Sequence, residues 1–132
     1  MKKVLFVCVE NSARSQMAEG FAKHYGKGRI EAYSAGTKVA REIKPIVVKV
    51  MAEKGIDISN QKPKPLDQKM VEQADVIITM GCSVDKMCPA PMLKNVIDWK
   101  IEGPKGKPIE KVREIRDSIE RKVVNLLDSL KG

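Results

Sequence analysis

The chain has 132 residues, of which 42% are hydrophobic, 32% charged and 4% aromatic, and its formal charge is +8. This length and composition predict a single globular domain over residues 1–132. Aromatic residues are too scarce for the stacking platforms of single-stranded nucleic-acid binding, and no stretch is apolar for long enough to span a membrane. Basic and acidic residues are interleaved, which indicates a solvated surface with a mild attraction for anions.

The predicted elements alternate along the chain. Short apolar runs bounded by turn signals predict strands, and apolar residues at helical spacing predict helices. The strands are expected at 4–7, 30–36 and 75–79, the helices at 15–25, 45–54, 66–73 and 109–130, and a long loop at 81–107. This alternation predicts an α/β fold, a parallel sheet with helices on both faces.

Three polar positions follow predicted strands. Cys8 ends the first strand, Ser34 lies at the end of the second, and Cys82 follows the last. Because ligands of such sheets bind at the carboxyl ends of the strands, these residues are expected to meet at one edge.

The segment from Cys8 to Arg14 predicts an anion site. The backbone amides of Val9, Glu10, Asn11, Ser12 and Ala13 can form a cradle at the start of the following helix. Arg14 can grip a tetrahedral oxyanion with two hydrogen bonds. Helix N-termini also stabilise cysteine thiolates, and the Ser15 hydroxyl can add a hydrogen bond to the sulfur. The alternative interpretation is a buried structural cysteine at the end of a strand.

Several motifs then identify a family. The stretch VLFVCVENSARSQMAEGF resembles the loop of the low-molecular-weight tyrosine phosphatase superfamily. The stretches NSARSQMAEG, YSAGT and GIDIS, with TMGC followed by CP, resemble the thioredoxin-coupled arsenate reductases. The resemblance covers nearly the whole chain. It implies a four-stranded parallel sheet with the site at the strand carboxyl ends.

The same resemblance implies a relay of three thiols. Cys8 attacks arsenate, Cys82 attacks the Cys8 sulfur and releases arsenite, and Cys88 then takes over the disulfide for reduction by thioredoxin or a similar dithiol. The spacing of Cys82 and Cys88 is not typical of zinc pairs, and His24 is expected at the surface. We therefore expect neither a metal nor a cofactor.

The chain departs from the family pattern at three points. Ala13 stands where relatives often have a second loop thiol. Gly103 precedes Pro104 where the superfamily has an acid, so Glu102 is the expected substitute, ahead of Asp98.

The third departure concerns a cation site that steadies the loop in some relatives. Its residues match Asn11, Glu19 and Ser34, but Lys64 stands at the position of the fourth ligand, an Asp. The ammonium of Lys64 could replace the cation, or Lys64 could simply be exposed.

The sequence is compatible with three functions. The first is a cytoplasmic arsenate reductase, expected to be a monomer; the odd number of cysteines favours a reducing compartment. The second is a low-molecular-weight phosphotyrosine phosphatase, which gives no role to Cys82 and Cys88. The third is a non-catalytic oxyanion or thiol sensor.

Overall fold

The computed structural model describes residues 2–80 and 96–130, which form one four-stranded sheet. All neighbouring strands are parallel, in the order β2-β1-β3-β4. The strands are β1 (Lys2–Cys8), β2 (Ile30–Gly36), β3 (Val76–Thr79) and β4 (Val96–Asp98).

Helices connect and cover these strands. They are α1 (Arg14–Tyr25), α2 (Pro45–Ala52), α3 (Gln68–Gln73) and α4 (Ile109–Ser129). Pro45 occupies the first turn of α2, where its missing N–H has no partner to lose. Asp67 caps α3, since its side chain accepts a hydrogen bond of 2.8 Å from the amide of Met70.

The sheet is covered on both faces. Successive side chains of a strand point to opposite faces. In β1, Val4, Phe6 and Cys8 belong to the larger apolar cluster, which includes residues of α1, α2 and α4. Leu5 and Val7 belong to a second cluster with Val71 of α3. The predicted parallel sheet flanked by helices on both faces is therefore confirmed, and Cys8 lies on the face covered by three helices.

The strand order creates a switch point beside Cys8. After β1 the chain crosses to β2 on one side of it, and later to β3 on the other side. Crossovers that leave a strand in opposite directions open a crevice outside the strand carboxyl ends, where ligands of such sheets bind. Cys8 is the last residue of β1 and therefore stands at this crevice.

The prediction of one long loop over 81–107 is wrong in its described part, because residues 96–98 form β4. Three residues are too few for a periodic pattern, and Ile97 on this edge strand is 45% exposed. The strand is recognisable only through its pairing with β3 and through Trp99, whose ring lies 5.8 Å from that of Phe6. Among the helices within 2–80 and 96–130, none has the length and apolarity needed to cross a membrane.

Candidate functional site

We call the segment from Cys8 to Arg14 the anion loop. Each backbone carbonyl from Cys8 to Ala13 accepts a hydrogen bond from a donor outside this loop. Most of these donors belong to the segment that follows β2 and to the first turns of α1. The six acceptor and donor pairs are Cys8 O with Thr37 N, Val9 O with Lys38 N, Glu10 O with Ala40 N, Asn11 O with Gln16 Nε2, Ser12 O with Lys44 N and Ala13 O with Met17 N, at 2.8 to 3.2 Å.

This outward bonding fixes the direction of the loop amides. In a trans peptide the N–H points opposite to the preceding carbonyl, and no described peptide bond is cis. The N–H groups of residues 9–14 therefore face away from those donors. The amide of Asn11 shows the direction that these N–H groups share, because it donates to Cys8 Sγ at 3.3 Å. Helix α1 begins here with no side-chain cap and no acidic residue in its first turn, so nothing on the helix itself offsets its positive end.

The Cys8 thiol lies at the base of this cradle. It is 3% exposed, and its Sγ lies 3.0 Å from Ser15 Oγ. The Ser15 oxygen already accepts a hydrogen bond of 2.7 Å from Asn11 Nδ2, so its proton is free to point at the sulfur. Two donors therefore point at Sγ, the atom of Cys8 that can act as a nucleophile.

Asn11 holds the anion loop in a conformation that few residues adopt. Its φ is +54°, in the left-handed region, and its side chain is fully buried. Its Oδ1 accepts from Lys64 N at 2.8 Å and from Gln16 Nε2 at 3.0 Å. Gly36 lets the loop approach β2, because a Cβ there would lie 2.6 Å from Val9 O and 3.0 Å from Asn11 Cβ.

Arg14 spans the carboxyl ends of two strands. Its Nη1 donates to Met80 O at 2.8 Å and to Ile101 O at 2.7 Å. These bonds hold the guanidinium in place. Its other side faces Gly103, where an added Cβ would lie 3.7 to 4.0 Å from Cζ, Nη2 and Nε. Within residues 2–80 and 96–130 only Nη1 has an acceptor, which leaves Nε and Nη2 as donors for a bound oxyanion.

A small cleft of about 150 Å³ opens above the thiol. None of the described residues that line it is aromatic. They are Cys8, Val9, Glu10, Ser12, Ala13 and Arg14 of the anion loop, with Lys44, Gly103, Pro104 and Lys105 as the outer walls. The hydrogen-bond donors at this cleft, which are the loop amides and the Arg14 guanidinium, suit a small tetrahedral anion.

The structure directs Glu102 away from this cleft. Its carboxylate lies 3.1 Å from Lys107 Nζ and 3.2 Å from Lys111 Nζ. Hydrogen bonds from Lys107, the larger effect, and from Lys111 lower the pKa of the Glu102 carboxyl. A carboxyl group with a lowered pKa is a poor proton donor at neutral pH. The expectation that Glu102 replaces the missing acid is therefore not supported by the geometry. Asp98, the other carboxylate considered, is exposed and accepts from the amide of Lys100 at 3.0 Å.

The four residues expected to steady the loop do lie together. Ser34 Oγ donates to Glu19 Oε1, and Lys64 Nζ lies 3.7 Å from the same oxygen. Lys23 Nζ lies 2.5 Å from Glu19 Oε2, so two ammonium groups flank a carboxylate that is only 3% exposed. Ser34 is not at the end of β2 as expected, since it pairs with Phe6, two positions before the end. Within the described residues, no cluster of three or more potential metal-binding His, Cys, Asp or Glu side chains occurs.

Two of the predicted thiols cannot be placed beside Cys8, because Cys82 and Cys88 lie outside the described residues. The described chain stops just before them at Met80, whose carbonyl contacts Arg14. Their part in a relay stays a prediction.

Sequence reasoning missed two residues of the site. Gln16 is fully buried, and its Nε2 donates to both oxygens of Asn11 and to Lys62 O, so it ties the anion loop to the segment after α2. In the sequence, only the position of this amide side chain in the first turn of a predicted helix could have indicated its role. Lys44 lines the cleft from 30 positions beyond Arg14, and no local pattern marks it.

Comparison with known proteins agrees with this geometry. The chain belongs to the low molecular weight phosphotyrosine protein phosphatase family, which it matches over residues 3–132. It is 41% identical over 129 residues to a glutaredoxin arsenate reductase of Synechocystis sp., covering 96% of this chain and 97% of that protein.

Two solved structures extend the comparison. An arsenate reductase in a phosphate-binding state is 39% identical with a TM-score of 0.89, covering 99% of this chain and 100% of that one. A thioredoxin-dependent arsenate reductase of Corynebacterium glutamicum is 37% identical with a TM-score of 0.83, covering 98% of this chain and 61% of that one.

Proposed function

We infer that this protein reduces arsenate to arsenite and that Cys8 is the nucleophile. The observation that carries this inference is the anion loop itself, whose amides turn inward around a buried thiol while Arg14 closes the site. Such a cradle favours a tetrahedral oxyanion directly against the sulfur. The names of the relatives in this family support arsenate as that oxyanion.

The site favours reduction over ester hydrolysis. Gly103 brings no acid to the cleft, and Glu102 is held by two lysines. Cleavage of a phosphate ester depends on protonating its leaving group, and a positioned acid is typically worth about 10²–10⁴ in rate. Arsenate exchanges its oxygens far more readily, so it tolerates the absence of this acid.

We propose that the electrons pass through three thiols. The Cys8 thiolate bonds to arsenic, and one arsenate oxygen leaves as water. Cys82 then attacks the Cys8 sulfur, and the pair of electrons of the sulfur–arsenic bond stays on arsenic, which leaves as arsenite. Cys88 attacks Cys82, frees the Cys8 thiolate and leaves the Cys82–Cys88 disulfide. Each sulfur step is a thiolate attack within bonding distance.

An external dithiol must then reduce this disulfide, and we propose thioredoxin, in the cytoplasm where such reductants operate. One relative is named for thioredoxin and another for glutaredoxin. The two donors are distinguished by comparing arsenate-dependent oxidation of each in its reduced form, at equal concentration.

We also propose that Lys64 takes the place of a loop-steadying cation. Its ammonium lies 3.7 Å from the buried Glu19 carboxylate and 3.0 Å from Lys62 O. A monovalent cation beside it would be repelled. Arsenate turnover is therefore expected to be the same in potassium and in tetramethylammonium salts, and a strong potassium dependence would exclude this role.

The decisive test of the activity is one turnover of the reduced protein without added reductant. It should release one arsenite per chain. The Cys88→Ser variant should also release one and then stall with Cys8 joined to Cys82, which peptide mapping by mass spectrometry detects. The Cys8→Ser variant should release none, although it keeps the loop amides and Arg14 and so still binds sulfate.

Other outcomes identify the rival functions. Hydrolysis of an aryl phosphate without arsenite release would indicate a phosphatase. Neither activity, with oxyanion binding retained, would indicate a sensor. Free thiols throughout after exposure to arsenate would exclude the relay.

A further inference from the structure

Lys44 lines the cleft and has no role in the proposed thiol relay. Its amide donates to Ser12 O at 3.1 Å, and it is the residue that precedes the first turn of α2. Its backbone is therefore fixed to the anion loop whatever its side chain does. The side chain is 32% exposed and lines the cleft.

The residue that Lys44 faces is the only carboxylate among the described residues that line the cleft. Glu10 belongs to the anion loop, and its Oε1 accepts from Ser12 Oγ at 3.3 Å and lies 3.9 Å from Lys44 Nζ. A negative charge on the wall of an anion site opposes the ligand, and the repulsion is larger for a dianion.

We propose that Lys44 is a positioning residue that compensates the charge of Glu10, so that the anion loop accepts a free, doubly charged oxyanion. The proposal deepens the proposed function, on which its choice of substrate class rests. Lys44 acts in two ways. Its ammonium cancels the field of the Glu10 carboxylate at the thiol, and with Ser12 Oγ it holds that carboxylate against the wall of the cleft.

The structure favours compensation over direct contact with the ligand. Arg14 and the inward amides already supply the donors that surround Cys8. The ammonium of Lys44, by contrast, has its one ionic contact among the described residues with Glu10.

The test measures binding of inorganic phosphate to the reduced full-length protein by titration calorimetry at low ionic strength. Phosphate is not reduced, so the result is independent of arsenate turnover. Lys44→Met should weaken phosphate binding about 5-fold, the upper end of what an exposed charge pair is worth. The double variant Glu10→Gln with Lys44→Met should return to within about 2-fold of the unmodified protein.

Two comparisons sharpen the result. Lys49→Met removes the same charge from an exposed position on α2 and should leave phosphate binding unchanged. The loss in Lys44→Met should shrink as salt is raised, because the interaction crosses a partly exposed cleft. A double variant that binds as weakly as Lys44→Met would show that Glu10 does not oppose the ligand and would overturn the proposal, as would unchanged binding in Lys44→Met itself.

Discussion

Replacing Asn11 with alanine should destabilise the protein and disorganise the anion loop together. The substitution removes the acceptor of two donors, Lys64 N and Gln16 Nε2, and the donor to Ser15 Oγ. Each such bond contributes about 1 kcal/mol net. Alanine at a φ of +54° adds about 1 kcal/mol of backbone strain. The expected loss in the free energy of unfolding is therefore about 4 kcal/mol.

Urea unfolding monitored by circular dichroism measures this loss, provided that the dependence on urea is unchanged. The matched control is Lys100→Ala, since Lys100 has a φ of +52° but is exposed. That variant should lie within about 0.5 kcal/mol of the unmodified protein.

Phosphate gives a second measurement on the same variants. A ligand at about 100 times its dissociation constant stabilises the native state by about 2.7 kcal/mol. Lys100→Ala should retain this gain, and Asn11→Ala should lose most of it because Ser15 and the loop amides are no longer held. An Asn11→Ala variant that loses less than about 1 kcal/mol and keeps its phosphate response would refute the view that Asn11 organises the loop.

Three further variants test the remaining groups. Gly103→Asp is expected to raise aryl phosphate hydrolysis about 10²-fold or more and arsenate reduction much less. Among the described residues, the nearest neighbour of the new Cβ would be the Arg14 side chain at 3.7 Å, and the φ of Gly103 is not positive. Equal gains in both assays would contradict the argument about the missing acid. Glu102→Gln should leave the acid limb of the pH profile of arsenate reduction unchanged, and a displaced limb would show that Glu102 donates the proton after all. Glu53 accepts hydrogen bonds from Arg113 and Arg116, which lower its pKa from 4.5 to about 2. A carboxyl group with a lowered pKa stabilises the fold at pH values above its ordinary pKa, and this contribution is lost as the pH falls from about 4.5 towards 2. The free energy of unfolding of Glu53→Gln, measured with urea, should therefore depend less on pH across that window. An unchanged dependence on pH would mean that the ion pairs do not form in solution.

Local pattern was enough to predict a thiol placed at an anion-binding loop. An apolar run ending in Cys8, a short polar segment and an arginine at the start of a helical pattern already imply a thiol at an anion-binding helix terminus. These features depend on neighbours in the chain, whose geometry is limited by backbone sterics and by strand and helix periodicity. For the same reason the long helix α4 was recognisable from the spacing of its apolar residues.

Tertiary structure alone decided which charged groups line the cleft. Sequence adjacency to Gly103 predicts Glu102 as a substitute acid, yet its carboxylate pairs with Lys107, just before α4, and with Lys111 of α4. No sequence pattern marks Lys44, yet its amide donates a hydrogen bond to Ser12 O and its ammonium faces the Glu10 carboxylate. The physical reason is that a side chain's charge partners are set by where distant segments cross, whereas the direction of a strand or the start of a helix is set by the residues next to it.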